Sequence, residues 1–199
     1  MKVVAVVPAR AGSKGVPGKN KLVVGGKPLV GHIVSTARSV DTIDRLIIST
    51  EDPEIASIAE AYGAEVLYMR PSELAEDHVS IVDVMVHAVS ELKRLGEEFD
   101  AVLSLQPTAP LLKKKTIEAA LNIWRHTGCD SVFTVREVEH NHPYRVQSID
   151  EEARVSPLFA NGQSFLQRQD LPKFYSNSGG LYLRNRKLLE NWGGKDFCL

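Results

Sequence analysis

Residues 3–20 read "VVAVVPARAGSKGVPGKN". Val3–Val7 is a continuous β-branched run closed by Pro8, which reads as a buried strand. The loop behind it carries Gly12, Gly15 and Gly18, the cations Arg10, Lys14 and Lys19, with Lys21 just beyond, and no acid. The formal net charge is -1, so this cluster is a local device and not part of a global positive field. A glycine-rich turn after a strand lets backbone N–H groups approach anionic oxygens, and cations around it make a polyphosphate the natural guest. The loop fits neither common phosphate motif. Gly12 and Gly18 stand one residue too far apart for a P-loop, Asn20 follows Lys19 where that motif needs Ser or Thr, and no G-x-G-x-x-G occurs. A solvated basic loop is the competing reading, and composition alone does not separate the two.

Outward from this stretch, strand and helix patterns alternate. Helical segments are expected at Pro28–Ser39 (Leu29, Ile33 and Ala37 at intervals of four), at 52–63 with Asp52 or Thr50 as cap and Gly63 as stop, at Ser80–Leu95 and at Lys115–His126. Strands are expected at Leu46–Ile48, Val66–Tyr68, "DAVLSLQP" (100–107) and "DSVFTV" (130–135). The alternation predicts an α/β fold with a doubly wound, mostly parallel sheet, in one domain over 1–199. Such sheets bind ligands beyond the carboxyl ends of their strands, where the basic loop must lie. Residues 136–176 keep no helical period and read as an excursion, an extended hairpin or loop arm, before a strand at "GGLYL" and a helix at "NRKLLENW". Excursions of this length are usually functional or form partner surfaces.

The 199 residues are 25% charged and 43% hydrophobic, which suits a soluble globular protein, and the near-neutral balance argues against a general nucleic-acid binder. Cys129 and Cys198 match no metal spacing, so a reduced, cytoplasmic home is expected. The N-terminal apolar run is too short for a signal sequence or a membrane span. There is no internal repeat. His140 and His142 alternate, but two histidines are too few to argue a metal site, and His32, His78, His87 and His126 read as structural.

Taken whole, the loop resembles the signature of the sugar-activating cytidylyltransferases: strand, P-A-R-x-G-S-K, a glycine/proline stretch, then K-N. The matching residues are Pro8, Ala9, Arg10, Gly12, Ser13, Lys14, Lys19 and Asn20. "RPSELAEDHVS" from Arg70, "LQPTAPL" from Leu105 and "RQDLPKFY" from Arg168 resemble further segments of that family in the right order. The last is similar to the acylneuraminate (sialic acid) branch.

The resemblance implies a Rossmann-like nucleotidyltransferase fold with an extended dimerisation arm, and an enzyme joining CTP to a nonulosonic sugar acid with release of pyrophosphate. It implies a triphosphate held by Arg10 and Lys19, helped by Ala9, Gly12, Ser13, Lys14 and Asn20. It places the cytosine at Arg70, Val79 and Ser80, sugar hydroxyls at Gln106, and the acid's carboxylate at Arg145 and Arg168. Magnesium would arrive with CTP, and the partner would be a second copy of the chain. Residues also have plainer readings: Asn20 as a turn or cap, Asp77 or Ser80 as the cap of the following helix, and Gln106 as a solvated strand end. Two departures stand out. Ser178 occupies the asparagine place of the family's N-G-A-[IV]-Y. The family's D-I-D metal aspartates lie beyond the late helix, where this chain reads "GGKDFCL" with Asp196 alone and its metal ligands unknown. The alternatives are therefore a cytidylyltransferase for another acid sugar (3-deoxyoctulosonate, legionaminate or pseudaminate) or a weakened nucleotide-binding homologue.

Overall fold

The computed structural model describes residues 1–138, 141–159 and 167–193, with Arg168 by its backbone alone. His140, Asp196, Cys198 and the Arg168 side chain lie outside the described residues. The chain divides into two compact units: residues 1–133 with 179 onward, and Thr134–Ser178. In chain order the strands are β1 (Val3–Pro8), β2 (Val23–Val24), β3 (Lys27–Pro28), β4 (Arg45–Ser49), β5 (Ala101–Leu105), β6 (Ser131–Glu137), β7 (Gln147–Ile149), β8 (Val155–Pro157) and β9 (Tyr175–Asn185). The helices are α1 (Leu29–Arg38), α2 (Pro53–Ala61), α3 (Ile81–Arg94), α4 (Lys114–Thr127) and α5 (Arg186–Glu190).

The main sheet has the order β4-β1-β5-β9-β6. β1 pairs in parallel with both β4 and β5, while β9 runs antiparallel to β5. The alternation of β1 explains why the fold is doubly wound. Val3, Ala5 and Val7 feed a core shared with α1, α2 and α4, whereas Val4 and Val6 feed a second core shared with α3. A strand buried on both faces needs an unbroken apolar run, and that is what the sequence carries. Trp124, 1% exposed, belongs to the first core and donates from Nε1 to Asn185 Oδ1 at 2.7 Å.

The mostly parallel α/β sheet flanked by helices agrees with the expectation, with local corrections. Val30, Ile33, Val34 and Ala37 form the buried face of α1, so Leu29 sits at its edge. Asp52 is the cap of α2, accepting from Glu54 N at 2.8 Å and Ile55 N at 3.3 Å, with Pro53 pre-set behind it. Val66–Tyr68 is not a ladder strand. The chain bonds to β4 at Glu65 and again where Arg70 N–H donates to Thr50 O, but no ladder joins these two points. No helix among the described residues is long and apolar enough to cross a membrane.

The second unit is a folded arm. β7 and β8 pair antiparallel as a hairpin. His142, 4% exposed, bonds Pro172 O through Nε2 at 2.8 Å and receives Tyr144 N–H at Nδ1. Phe174 packs edge to face on His142, and Tyr144 packs edge to face with both Phe159 and Phe174. His142 is thus a structural residue of the arm. Ile149, Val155, Leu158 and Phe159 leave apolar surface exposed on this unit.

Candidate functional site

The site forms where β1, β4 and β5 end. Ala9 N–H extends the β1–β4 ladder to Ser49 O at 3.0 Å, and the Ala9 side chain is buried beneath the loop. Gly18, in the left-handed region at φ 63, turns the chain into a short 3-10 turn, Lys19–Lys21. The turn drives Asn20 inward, 4% exposed, where its Nδ2 donates to Arg10 O at 2.8 Å and fastens the two ends of the loop together. Asn20 Oδ1 is buried without a partner, an acceptor available to a ligand donor.

The loop cations part company. Lys21 Nζ bonds Glu54 at 2.6 Å and Asp52 at 3.1 Å on α2, and these acids, Glu54 first, raise its pKa. Burial pushes the Asp52 carboxyl up, but Lys21 and two backbone N–H groups outweigh it and hold it below the usual range. Lys21 is therefore an anchor for the loop and not, as its place beside the basic loop led us to expect, part of the charge around the turn. Arg10 donates to Ala75 O at 3.0 Å and to Asp77 at 2.7 Å, and Lys14 reaches the other oxygen of Asp77 at 2.9 Å. Lys14 and then Arg10 depress the Asp77 pKa. Lys19 forms no ion pair among the described residues and faces the cleft.

The opposite wall comes from residues 70–84. The Arg70 side chain is 3% exposed, and its Nη2 donates to Glu51 Oε2 at 2.7 Å. Its Nε is buried and unpartnered. Glu51 Oε1 also accepts the N–H of Ala11, at 2.7 Å, from inside the basic loop. Ser80 settles the capping question: it caps α3 in a capping box with Asp83, receiving Asp83 N–H at 3.1 Å. On the third side Gln106 N–H donates to Gly180 O at 2.9 Å, and a Cβ added at Gly180 would lie 2.7 Å from Ala109 Cβ.

Arg10, Lys19, Asn20, Arg70, Val79 and Gln106 thereby line one cleft of about 270 Å³, together with Glu76, Asp77, Pro107 and Thr108. Arg10, Gly12, Ser13, Lys14 and Asp77 line an adjoining groove of about 550 Å³. Ser80 lines neither the cleft nor the groove, and both its hydroxyl and its backbone N–H are tied to Asp83 in the cap of α3. Arg145 closes a 3-10 turn of the arm, Pro143–Arg145. Sequence reasoning missed Glu51 and the ion-pairing role of Asp77. The signal for Glu51 was an acid directly after the carboxyl end of a parallel strand. Among the described residues, no three His, Cys, Asp or Glu side chains converge as a metal site.

Comparison with known proteins bears on the family and the fold. Residues 4–191 match the family model described as Cytidylyltransferase. The CMP-N,N'-diacetyllegionaminic acid synthase of Legionella pneumophila is 34% identical over 194 residues, covering 96% of this chain and 82% of that protein. A pseudaminic acid cytidylyltransferase of Campylobacter jejuni is 30% identical over 197 residues, covering 99% and 83%. In fold, the chain is similar to a CMP:2-keto-3-deoxy-manno-octonic acid synthetase solved with CTP: the TM-score is 0.74 at 22% identity, covering 100% of this chain and 80% of that one.

Proposed function

Because the chain belongs to the cytidylyltransferase family and is thus a nucleotidyltransferase, we propose that its cleft joins CTP to a nonulosonic, sialic acid-type sugar acid and releases pyrophosphate. The observation that carries the reading is the convergence of Arg10, Lys19, Asn20, Arg70, Val79 and Gln106 from three separate segments on one cleft. In the reaction a sugar hydroxyl attacks the α-phosphorus, the new P–O bond forms, and the bond to the β-phosphate breaks. Positioning and charge neutralisation then carry the catalysis. Lys19 and Arg10 hold the triphosphate, with Lys14, Ser13 and the Gly12 backbone beside them. Asn20, fixed by its bond to Arg10 O, offers Oδ1 as an acceptor. Arg70 donates to the base carbonyl oxygen, and the backbone at Val79 and Ser80 reads the amino edge. Gln106 meets sugar hydroxyls. Arg145 and Arg168 bind the acid's carboxylate, a task that suits the planar guanidinium.

The carboxylates of Glu76 and Asp77 at the cleft are too few for an all-protein magnesium cage, which fits an ion brought in mainly on the triphosphate. Magnesium there would neutralise charge on the phosphates. The protein acts as a homodimer in the cytoplasm, with the arm at the interface. A second reading, a legionaminate or pseudaminate acceptor, is favoured by the match over four fifths of the length of relatives named for those acids.

The test is pyrophosphate release with CTP and magnesium against a panel of sialic, legionaminic, pseudaminic and 3-deoxyoctulosonic acids. Turnover with sialic acid supports the first reading, turnover confined to legionaminic or pseudaminic acid supports the second, and turnover confined to 3-deoxyoctulosonic acid overturns both. CTP binding with no turnover on any acid identifies a weakened homologue instead.

A further inference from the structure

Glu51 lines neither the cleft nor the adjoining groove, yet it touches both halves of the site. One carboxylate oxygen takes the Ala11 N–H of the basic loop at 2.7 Å, and the other takes Arg70 Nη2 at 2.7 Å. The Glu51 side chain is 17% exposed and that of Arg70 only 3%. A guanidinium this deeply buried needs an anion, and among the described residues Glu51 is the only carboxylate paired with it. Arg70 Nε is buried and unpartnered, so among the described residues the bond from Nη2 to Glu51 is the one side-chain hydrogen bond that orients the group. The backbone supports the same arrangement, since Arg70 N–H is tied to Thr50 O at 2.9 Å, the residue before Glu51. We propose that Glu51 is a positioning residue: it orients Arg70 toward the nucleotide base and links that orientation to the phosphate-binding loop.

The inference rests on the assignment of Arg70 to the base made above. It predicts a particular pattern. Removing the carboxylate frees a buried cation, and bonds to charged partners are among the stronger ones. The loss should therefore appear in binding of the whole nucleotide and less in binding of the phosphates alone.

The experiment measures CTP and inorganic triphosphate affinities by calorimetry, both with magnesium. The proteins are the parent chain, Glu51→Gln, Arg70→Met and the double variant, each first shown to be folded by its melting curve. We expect Glu51→Gln to weaken CTP by about tenfold more than it weakens inorganic triphosphate, and this excess to fall below about twofold in the Arg70→Met background. Should the glutamine variant not fold, Glu51→Asp carries the same comparison, because it keeps the charge and loses one methylene of reach. Equal losses for CTP and inorganic triphosphate, or an excess that survives in the Arg70→Met background, overturn the proposal. If Arg70→Met by itself leaves CTP affinity unchanged, it is the base assignment that has failed, and the role of Glu51 falls with it.

Discussion

Lys19 differs from the other cations of the basic loop in its partners. Arg10 and Lys14 are paired with Asp77, and Lys21 with Asp52 and Glu54, which leaves Lys19 as the loop cation without an ion pair among the described residues. An unpaired ammonium at the cleft is best suited to charge that develops on the α-phosphate and the leaving pyrophosphate. Lys19→Ala should cost roughly 3–4 kcal/mol of transition-state stabilisation, ~10²–10³ in kcat. CTP affinity should fall less, because Arg10, Lys14 and the backbone donors remain, and Lys19→Arg should restore activity only in part. Steady-state kinetics with calorimetry separates these effects, and a kcat for Lys19→Ala within about twofold of the parent would return the residue to the solvated surface. Charge alone could not sort Lys19 from Lys21, two residues away; the resemblance singled out Lys19 through its K-N element. What separates them is a pair of acids more than thirty positions downstream, brought in by the packing of α2.

Among the elements, α3 is the most informative. Its periodicity and a cap at Asp77 or Ser80 were legible in "DHVSIVDVMVHAV", because caps and periodicity are local, and the structure chooses Ser80 with Asp83. The burial of His87 was not, because it depends on Tyr68, which approaches edge-on at 5.3 Å from a segment outside the helix. Burial lowers the His87 pKa below its ordinary value and pushes the Tyr68 hydroxyl up to about 12. A histidine with a lowered folded pKa binds protons better when unfolded. Its contribution is therefore complete above about pH 6.5 and is lost as the pH falls below that. The melting temperature should decline between pH 7.5 and 5.5, and the decline should be shallower in His87→Phe, which keeps the ring and cannot protonate. Equal slopes for the two proteins refute the assignment. Strand β9 supplies a second case. Gly180 has φ 88 and no room for a Cβ against Ala109, so Gly180→Ala should destabilise the fold by about 1–3 kcal/mol in chemical denaturation. A loss under about 0.5 kcal/mol would show that the loop at Ala109 yields freely. The absent ladder at Val66–Tyr68 has the opposite lesson, since a short apolar run alone does not distinguish a strand from an extended connection.

For the molecule as a whole, the alternating pattern and the four family segments were enough to give the main sheet and the family, because strands and motifs recur along nearly the whole chain. The arm was legible only as a break in that pattern. Its hairpin is joined by the β7–β8 ladder, and the aromatic contacts Tyr144–Phe159 and Tyr144–Phe174 link residues far apart in sequence, which no local signal announces. Apolar side chains exposed on this unit, among them Ile149 at 71% and Val155 at 57%, are the kind of surface that a partner covers. With a two-fold dimer the commonest closed assembly, we expect light scattering to report a dimer, and Ile149→Glu with Val155→Glu to shift it to monomer. A parent protein that stays monomeric at high micromolar concentration contradicts this.

The pairing of Asp77 with Arg10 and Lys14 also governs how a nucleotide first arrives. A polyanion drifting toward the empty site meets two cations already matched to a carboxylate, so long-range attraction is weaker than the count of basic residues implies. Encounter should be less sensitive to ionic strength than four loop cations would make it. In Asp77→Asn the field is uncovered: stopped-flow association of CTP should quicken at low salt and slow more steeply as salt is added, while identical salt slopes would mean that the carboxylate swings clear before the nucleotide comes within a Debye length, about 10 Å at 0.1 M.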